Sequence, residues 1–240
     1  VALVLANKQG VKLDQNIAVR ASEPDAQELA IAHSLLEGDE QSSKAIILGA
    51  TALHYFEATN LLAIADWIAR HSGCKLVKLA DANSAGAWIA GCLPHRLAHG
   101  VESDSAGLNA AQMLQQGMSA YLLYDVEPGL DSHHGGRALK SLEEADFVVQ
   151  CATFVSDEAM NYADVLLPIA HHTENSGSYI NCEGRVQLAQ AAAEPLGEAR
   201  PGWKVLRVLA NYMSVEGFDH INLADVQDDF VLADEQIVEQ

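Results

Sequence analysis

Positive charge is scarce in this chain: 14 Lys and Arg stand against 33 Asp and Glu, a net charge of −19. Such a surface repels phosphate backbones and anionic headgroups, so no nucleic acid and no bare lipid surface is expected as a partner. Long apolar runs are missing as well. The longest, LLAIADWI at 61–68, is broken by Asp66 and falls far short of the about 20 residues a spanning helix needs. No direct membrane insertion is expected. Cysteines are few and scattered, at Cys74, Cys92, Cys151 and Cys182, with no C-x-x-C pair. A chain of 240 residues can bury a real core without disulfides, so a reducing, cytoplasmic compartment fits best. The opening VALVLANKQGVKLD has no Met, no basic n-region and no small-residue cleavage site, and reads as the interior of a longer protein.

Motifs that would announce chemistry are lacking too. There is no G-x-G-x-x-G and no G-x-x-x-x-G-K-[ST]; the first strand ends in LGATALH, so tight binding of NAD or ATP is not expected. His133-His134-Gly135-Gly136 and His171-His172 with Glu174 contain good metal-ligand types. Neither pair has the helical spacing of H-E-x-x-H, and adjacent loop histidines point apart, so the surface-loop reading is preferred. Cys92, Pro94, His95 and His99 lack a second cysteine and read as a turn. No G-x-S-x-G is present, and the thiol in VVQCATF reads as an inert core residue. A metal site is not expected.

Against these absences stands a regular apolar rhythm, with hydrophobic residues at 49% and aromatics at only 6%. A Pro and acidic first turn start a helix over 23–37. A strand at 44–50, a helix over 54–71 and a strand at 75–80 follow. Then come helical pieces at 85–90 and 110–116, a strand at 119–126, a helix near 136–144, a strand at 146–151, a short helix at 157–162 and a strand at 163–168. Five apolar strands separated by helices predict an α/β, Rossmann-like, mostly parallel sheet with helices on both faces. After Pro168 the chain turns polar and reads as a loop. Pro201-Gly202 precedes an amphipathic helix, and from Phe218 onward the sequence is acidic and weakly patterned. The expected organisation is a lead-in at 1–22, the α/β domain at 23–190, and a C-terminal helix with an acidic tail at 191–240. Asn83, in the small-residue stretch NSAGA after the strand KLVKLAD, suits a helix start that packs tightly inside the protein or faces a cofactor.

One stretch is specific. ADVLLP, then Glu174, Gly177, Asn181, Glu183, Gly184, Arg185 and Gln187, resembles the pattern ADVVLP…E..GT..N.EGR.Q that closes the Rossmann-like part of molybdopterin oxidoreductases. Ser178 stands where Thr is usual. Within that family ANSAGAWIAGCLPHR (82–96), GLNAAQML (107–114), AYLLYDVEPGLD (120–131) and FVSDEAMNYADVLLP are similar to the large iron–sulfur subunit of bacterial NADH:quinone oxidoreductase, respiratory complex I. The likeness runs from Glu23 to Met213. It implies respiratory electron transfer from NADH to quinone in the whole protein, with partners among the peripheral-arm subunits and a place peripheral to the inner membrane. In catalytic relatives the counterpart of 174–187 approaches the pterin, so Asn83, Glu174, Asn181, Arg185 and Gln187 are the implied vestigial pterin-facing residues. The iron–sulfur subunit of complex I keeps the fold without molybdenum, and its clusters sit on cysteines nearer the N-terminus. This stretch is therefore expected to hold no cofactor and to be structural, with a buried Arg185 between Glu174 and Glu183 closing the loop and glycines Gly177 and Gly184 allowing its turns. A segment of a catalytic molybdopterin enzyme such as a formate dehydrogenase, and a stand-alone nucleotide-binding module, are the rivals.

Overall fold

The computed structural model describes residues 1–18, 23–37, 43–79 and 81–231, and divides into two compact units, 1–84 and 85–240. In the first unit α1 (Ala2–Gln9), α2 (Ala26–Leu36) and α4 (Ala58–Ser72) pack together; β1 (Ala45–Leu48), the short α3 (Ala50–Leu53) and β2 (Lys75–Lys78) complete it. Leu5, Ala32 and Trp67 are fully buried at the meeting of the three helices. At about 1.5–3 kcal/mol for each large apolar side chain removed from water, this contact dominates the unit's stability. The Asp25 carboxylate accepts the Glu28 N–H at 2.7 Å while Glu28 accepts the Asp25 N–H at 3.0 Å. That capping box starts α2 just inside the predicted range. α4 ends at Gly73 in the left-handed region, φ 70°, which only glycine enters freely. β1 and β2 pair in parallel, Ala45 opposite Lys75, so α3 and α4 form the crossover. The predicted strand at 44–50 stops early because Gly49 caps α3; Ala80, at the end of the other predicted strand, lies outside the described residues.

The second unit opens with α5 (Ser84–Ile89), which begins at the boundary, and α6 (Ala110–Gln116). It then runs β3 (Ala120–Tyr124), α7 (Pro128–Asp131), α8 (Gly135–Glu143), β4 (Phe147–Ala152), α9 (Ala159–Tyr162) and β5 (Val165–Pro168). The three strands pair in parallel in the order β3-β4-β5. Tyr121, Leu123 and Val148 enter a core with Leu142 of α8 and Ala159 and Tyr162 of α9. The Tyr121 hydroxyl is fully used there: it lies 2.8 Å from Ser141 Oγ, donates to Met113 O and accepts the Met118 N–H. The fold class is thus α/β with parallel sheets flanked by helices. Among the described residues the five parallel strands are those the sequence predicts, paired as two and three.

Beyond β5 the structure is more ordered than the polar composition suggests. β6 (Gly177–Ile180) and β7 (Val186–Ala189) form an antiparallel hairpin where a loop was expected. α10 (Gly202–Tyr212) follows Pro201, and α11 (Leu223–Val231) forms within the acidic stretch, started by Asp225, whose carboxylate accepts the Ile221 and Asn222 N–H groups. Gln227 of α11 donates to Ser178 Oγ of β6 at 3.0 Å. The far end of the acidic tail, 232–240, lies outside the described residues. No helix among the described residues is long and apolar enough to cross a membrane.

Candidate functional site

In a parallel α/β sheet the loops at the carboxyl ends of the strands carry function, because the crossovers leave backbone groups unpaired there. In the second unit three such loops meet. Asp125, directly after β3, sits in the left-handed region at φ 50°. Its N–H donates to Cys151 O at 2.8 Å, and its carboxylate accepts the Thr153 hydroxyl at 3.1 Å. Gln150 of β4 is buried; its amide donates to Val126 O at 3.3 Å, and its Oε1 has no partner. Burial pushes the neighbouring Tyr162 hydroxyl's ionisation upward, opposed by a hydrogen bond with Gln150 and reinforced by Glu127 and Glu158. Burial likewise raises the Cys151 thiol, which fits the inert reading of that residue.

After β5, Ile169 bridges to Arg200, and the Ala170 N–H donates to Arg200 O at 2.8 Å. Between those anchors the chain makes a short turn and the hairpin. Glu174 ends that turn by accepting the His171 N–H at 3.1 Å. Asn175 donates to Ala170 O and His171 O at 2.8 and 3.1 Å. Asn181 organises the tip of the hairpin: its Oδ1 accepts the N–H groups of Glu183 at 3.0 Å and Arg185 at 2.9 Å, and its amide donates to Glu183 at 3.3 Å. Gly184 supplies the positive φ of 80° that this tight turn requires.

The expected buried Arg185 is corrected by this geometry. Arg185 is exposed and takes part in no ion pair among the described residues. Arg185 lies in the exposed tip, while the covered face of the hairpin is taken by Ile180, and both glutamates expected to flank its charge are engaged elsewhere. Gln187 lies opposite Tyr179 and is also exposed. Asn83 belongs to the first unit, in the left-handed region at φ 59° beside the start of α5. The structure therefore brings Asn181, Arg185 and Gln187 onto one hairpin, with Glu174 in the turn that leads to it.

Both histidine pairs lie in loops. His133 and His134 stand edge to face at 4.7 Å before α8, where His134, Gly135, Gly136 and Arg137 line a cleft of about 350 Å³. His171 lies 3.9 Å from His172 and meets Phe154 edge-on at 6.0 Å. Among the described residues no three His, Cys, Asp or Glu side chains are close enough to hold a metal. Sequence reasoning missed two pairs at strand ends. One is Asp125 with Thr153. The other, in the first unit, is His54 with Asp81 at 2.7 Å. No local signal marks either pair: Asp125 falls inside the predicted strand at 119–126 and His54 at the start of the predicted helix, and each meets its partner only across neighbouring strand ends.

Parallel strands, crossover helices and a hairpin tipped by N-x-E-G-R define a pterin-oxidoreductase type of α/β protein. The chain belongs to the molybdopterin oxidoreductase family, whose model matches residues 6–212. Among curated relatives it is 34% identical over 133 residues to the mitochondrial NADH-ubiquinone oxidoreductase 78 kDa subunit of Candida albicans (strain SC5314 / ATCC MYA-2876), 55% of this chain and 17% of that protein. It is 35% identical over 97 residues to a protein of Staphylococcus aureus (strain USA300) provisionally named a formate dehydrogenase, 40% of this chain and 10% of that one. The chain thus spans less than a fifth of the length of these relatives.

Proposed function

We propose that this chain is a segment of the iron–sulfur subunit of an NADH:quinone oxidoreductase, where it acts as a scaffold for other peripheral-arm subunits and holds no cluster or molybdenum of its own. The observation that carries this reading is the match to the NADH-ubiquinone oxidoreductase subunit, which extends over 133 residues against 97 for the formate-dehydrogenase-named protein. The site supports it. A pterin with its phosphate arms needs several convergent, partly enclosed donors and acceptors. Glu174 and the Asn181 oxygen are occupied by backbone N–H groups, and Arg185 and Gln187 stand on an exposed hairpin. These residues do not fit a pterin cradle. Electrons would pass through clusters bound elsewhere in the subunit, and the segment would lie on the cytoplasmic side, peripheral to the inner membrane through its complex.

The test is to purify the full-length protein from its host with associated subunits, assay NADH:quinone activity, and measure iron and molybdenum. Iron with NADH-dependent quinone reduction and no molybdenum is the expected result. The second reading, a segment of a formate-dehydrogenase-like enzyme, is favoured by the 35% identity over 97 residues. Stoichiometric molybdenum with formate oxidation would establish it and overturn the first.

A further inference from the structure

The carboxyl edge of a doubly wound sheet ordinarily offers helix N-termini and backbone N–H groups to anionic ligands. On the three-stranded sheet that edge has the opposite character. Two connections leave it, residues 125–131 after β3, ending in α7, and 153–160 after β4, running into α9. They are fixed side by side by the Asp125 N–H on Cys151 O, the Thr153 hydroxyl on the Asp125 carboxylate, and the Gln150 amide on Val126 O. The loops carry Asp125, Glu127, Asp131, Asp157 and Glu158, and neither contains Lys or Arg. None of these carboxylates joins an ion pair among the described residues. The basic groups nearby are His171 of the neighbouring strand end, edge-on to Phe154, the pair His133 and His134 just after Asp131, and Arg137 of α8, which packs on α7.

The same loops expose large apolar side chains: Leu130 at 80%, Phe154 at 73%, Met160 at 64% and Val155 at 50%. Single exposed hydrophobes are ordinary, but four on two adjoining connections are a local excess of apolar surface that water solvates at a cost. Five carboxylates against the single Arg137 leave an apolar centre bordered by excess negative charge, the layout of a protein interface whose partner supplies the opposite charge at the rim. A nucleotide or pterin phosphate would meet five carboxylates there. A nucleic acid is repelled on the same ground.

The geometry points to a docking surface at this edge for a protein segment that presents apolar side chains flanked by lysines and arginines. This rests on the scaffold reading above and gives its partner a chemistry. The loops place Leu130 and Phe154 to enter the partner, while Asp157 and Glu158 set its register and speed its approach.

The test places a photoreactive benzoylphenylalanine at Phe154, and separately at Leu130, in the full-length protein within its complex, and identifies cross-linked peptides by mass spectrometry. A segment of another polypeptide with more Lys and Arg than Asp and Glu, alongside apolar residues, is expected. Its yield falls about ten-fold in the Asp157→Lys, Glu158→Lys variant and by less in Asp157→Asn, Glu158→Gln, each compared at a temperature where circular dichroism shows it folded. Cross-links confined to this chain, or landing on an acidic segment, a nucleotide or a pterin, overturn the docking surface, as does a yield indifferent to charge reversal. Partner subunits that co-purify while the cross-links stay internal sink this inference alone. A protein that purifies with no partner subunit sinks the scaffold reading with it.

Discussion

Asn181 carries an unusual share of local order for one side chain, since its single oxygen satisfies the N–H groups of both Glu183 and Arg185. Replacing it with alanine leaves two turn N–H groups to water; a net loss of about 1–2 kcal/mol follows from two hydrogen bonds at a half-exposed site. Urea unfolding of Asn181→Ala should show that loss, while Asn181→Asp, which keeps the accepting oxygen, should lose less; equal losses would remove the turn's dependence on this acceptor. Tyr162 makes a pH prediction. Its folded-state ionisation is raised, chiefly by burial, so the stability it contributes is intact below the ordinary tyrosine range of about pH 10 and is lost as pH climbs through the higher folded value. Unfolding measured from about pH 8 to about pH 10.5 should decline less steeply in Tyr162→Phe than in the parent. A steeper decline would mean that the sign is wrong.

Among the elements, α8 is the one on which the second unit's core depends. Leu142 is fully buried against Val148, Tyr121 and the α9 residues. Leu142→Ala removes apolar contact and leaves a cavity, for an expected loss of about 2–5 kcal/mol by denaturant unfolding; a loss under about 1 kcal/mol would show a core able to collapse into the gap. The helices and parallel strands were legible because short apolar runs alternate with longer helical patterns, although β1 and β2 are only partly buried. The hairpin was not, because GSYI and VQLA mix polar with apolar residues inside a polar stretch, whereas AIIL and VLLP, equally short, are wholly apolar. α11 was hidden for a different reason: the carboxylates that make its sequence look unstructured include Asp225, which starts the helix. Of the candidate site, the hairpin residues were legible through the E-G-R pattern, yet the exposure of Arg185 was not, since burial depends on which part of the hairpin is covered, which no local sequence encodes. Pairs such as Asp125 with Thr153 arise only when the strands come into register.

The molecule as a whole carries −19 net charges on 240 residues, and its acidic edge loops are one part of that excess. Like charges confined to a compact body repel one another more than in an expanded chain. Salt screens this over about 10 Å at 0.1 M. Raising sodium chloride from about 0.01 M to about 0.2 M should therefore raise the unfolding temperature by a few degrees, read by circular dichroism. A fall on adding salt would instead show that attractive pairs such as Arg70 with Asp14 and Asp66 outweigh the repulsion. The bond from the Ala170 N–H to Arg200 O has a separate consequence. It brings the exit and return of the 171–199 excursion together, so the entry to α10 is held at the end of β5 independently of how far the hairpin reaches. Length can therefore change at the exposed tip, 182–185, whereas β6 is pinned by buried Ile180 and by Ser178 on Gln227.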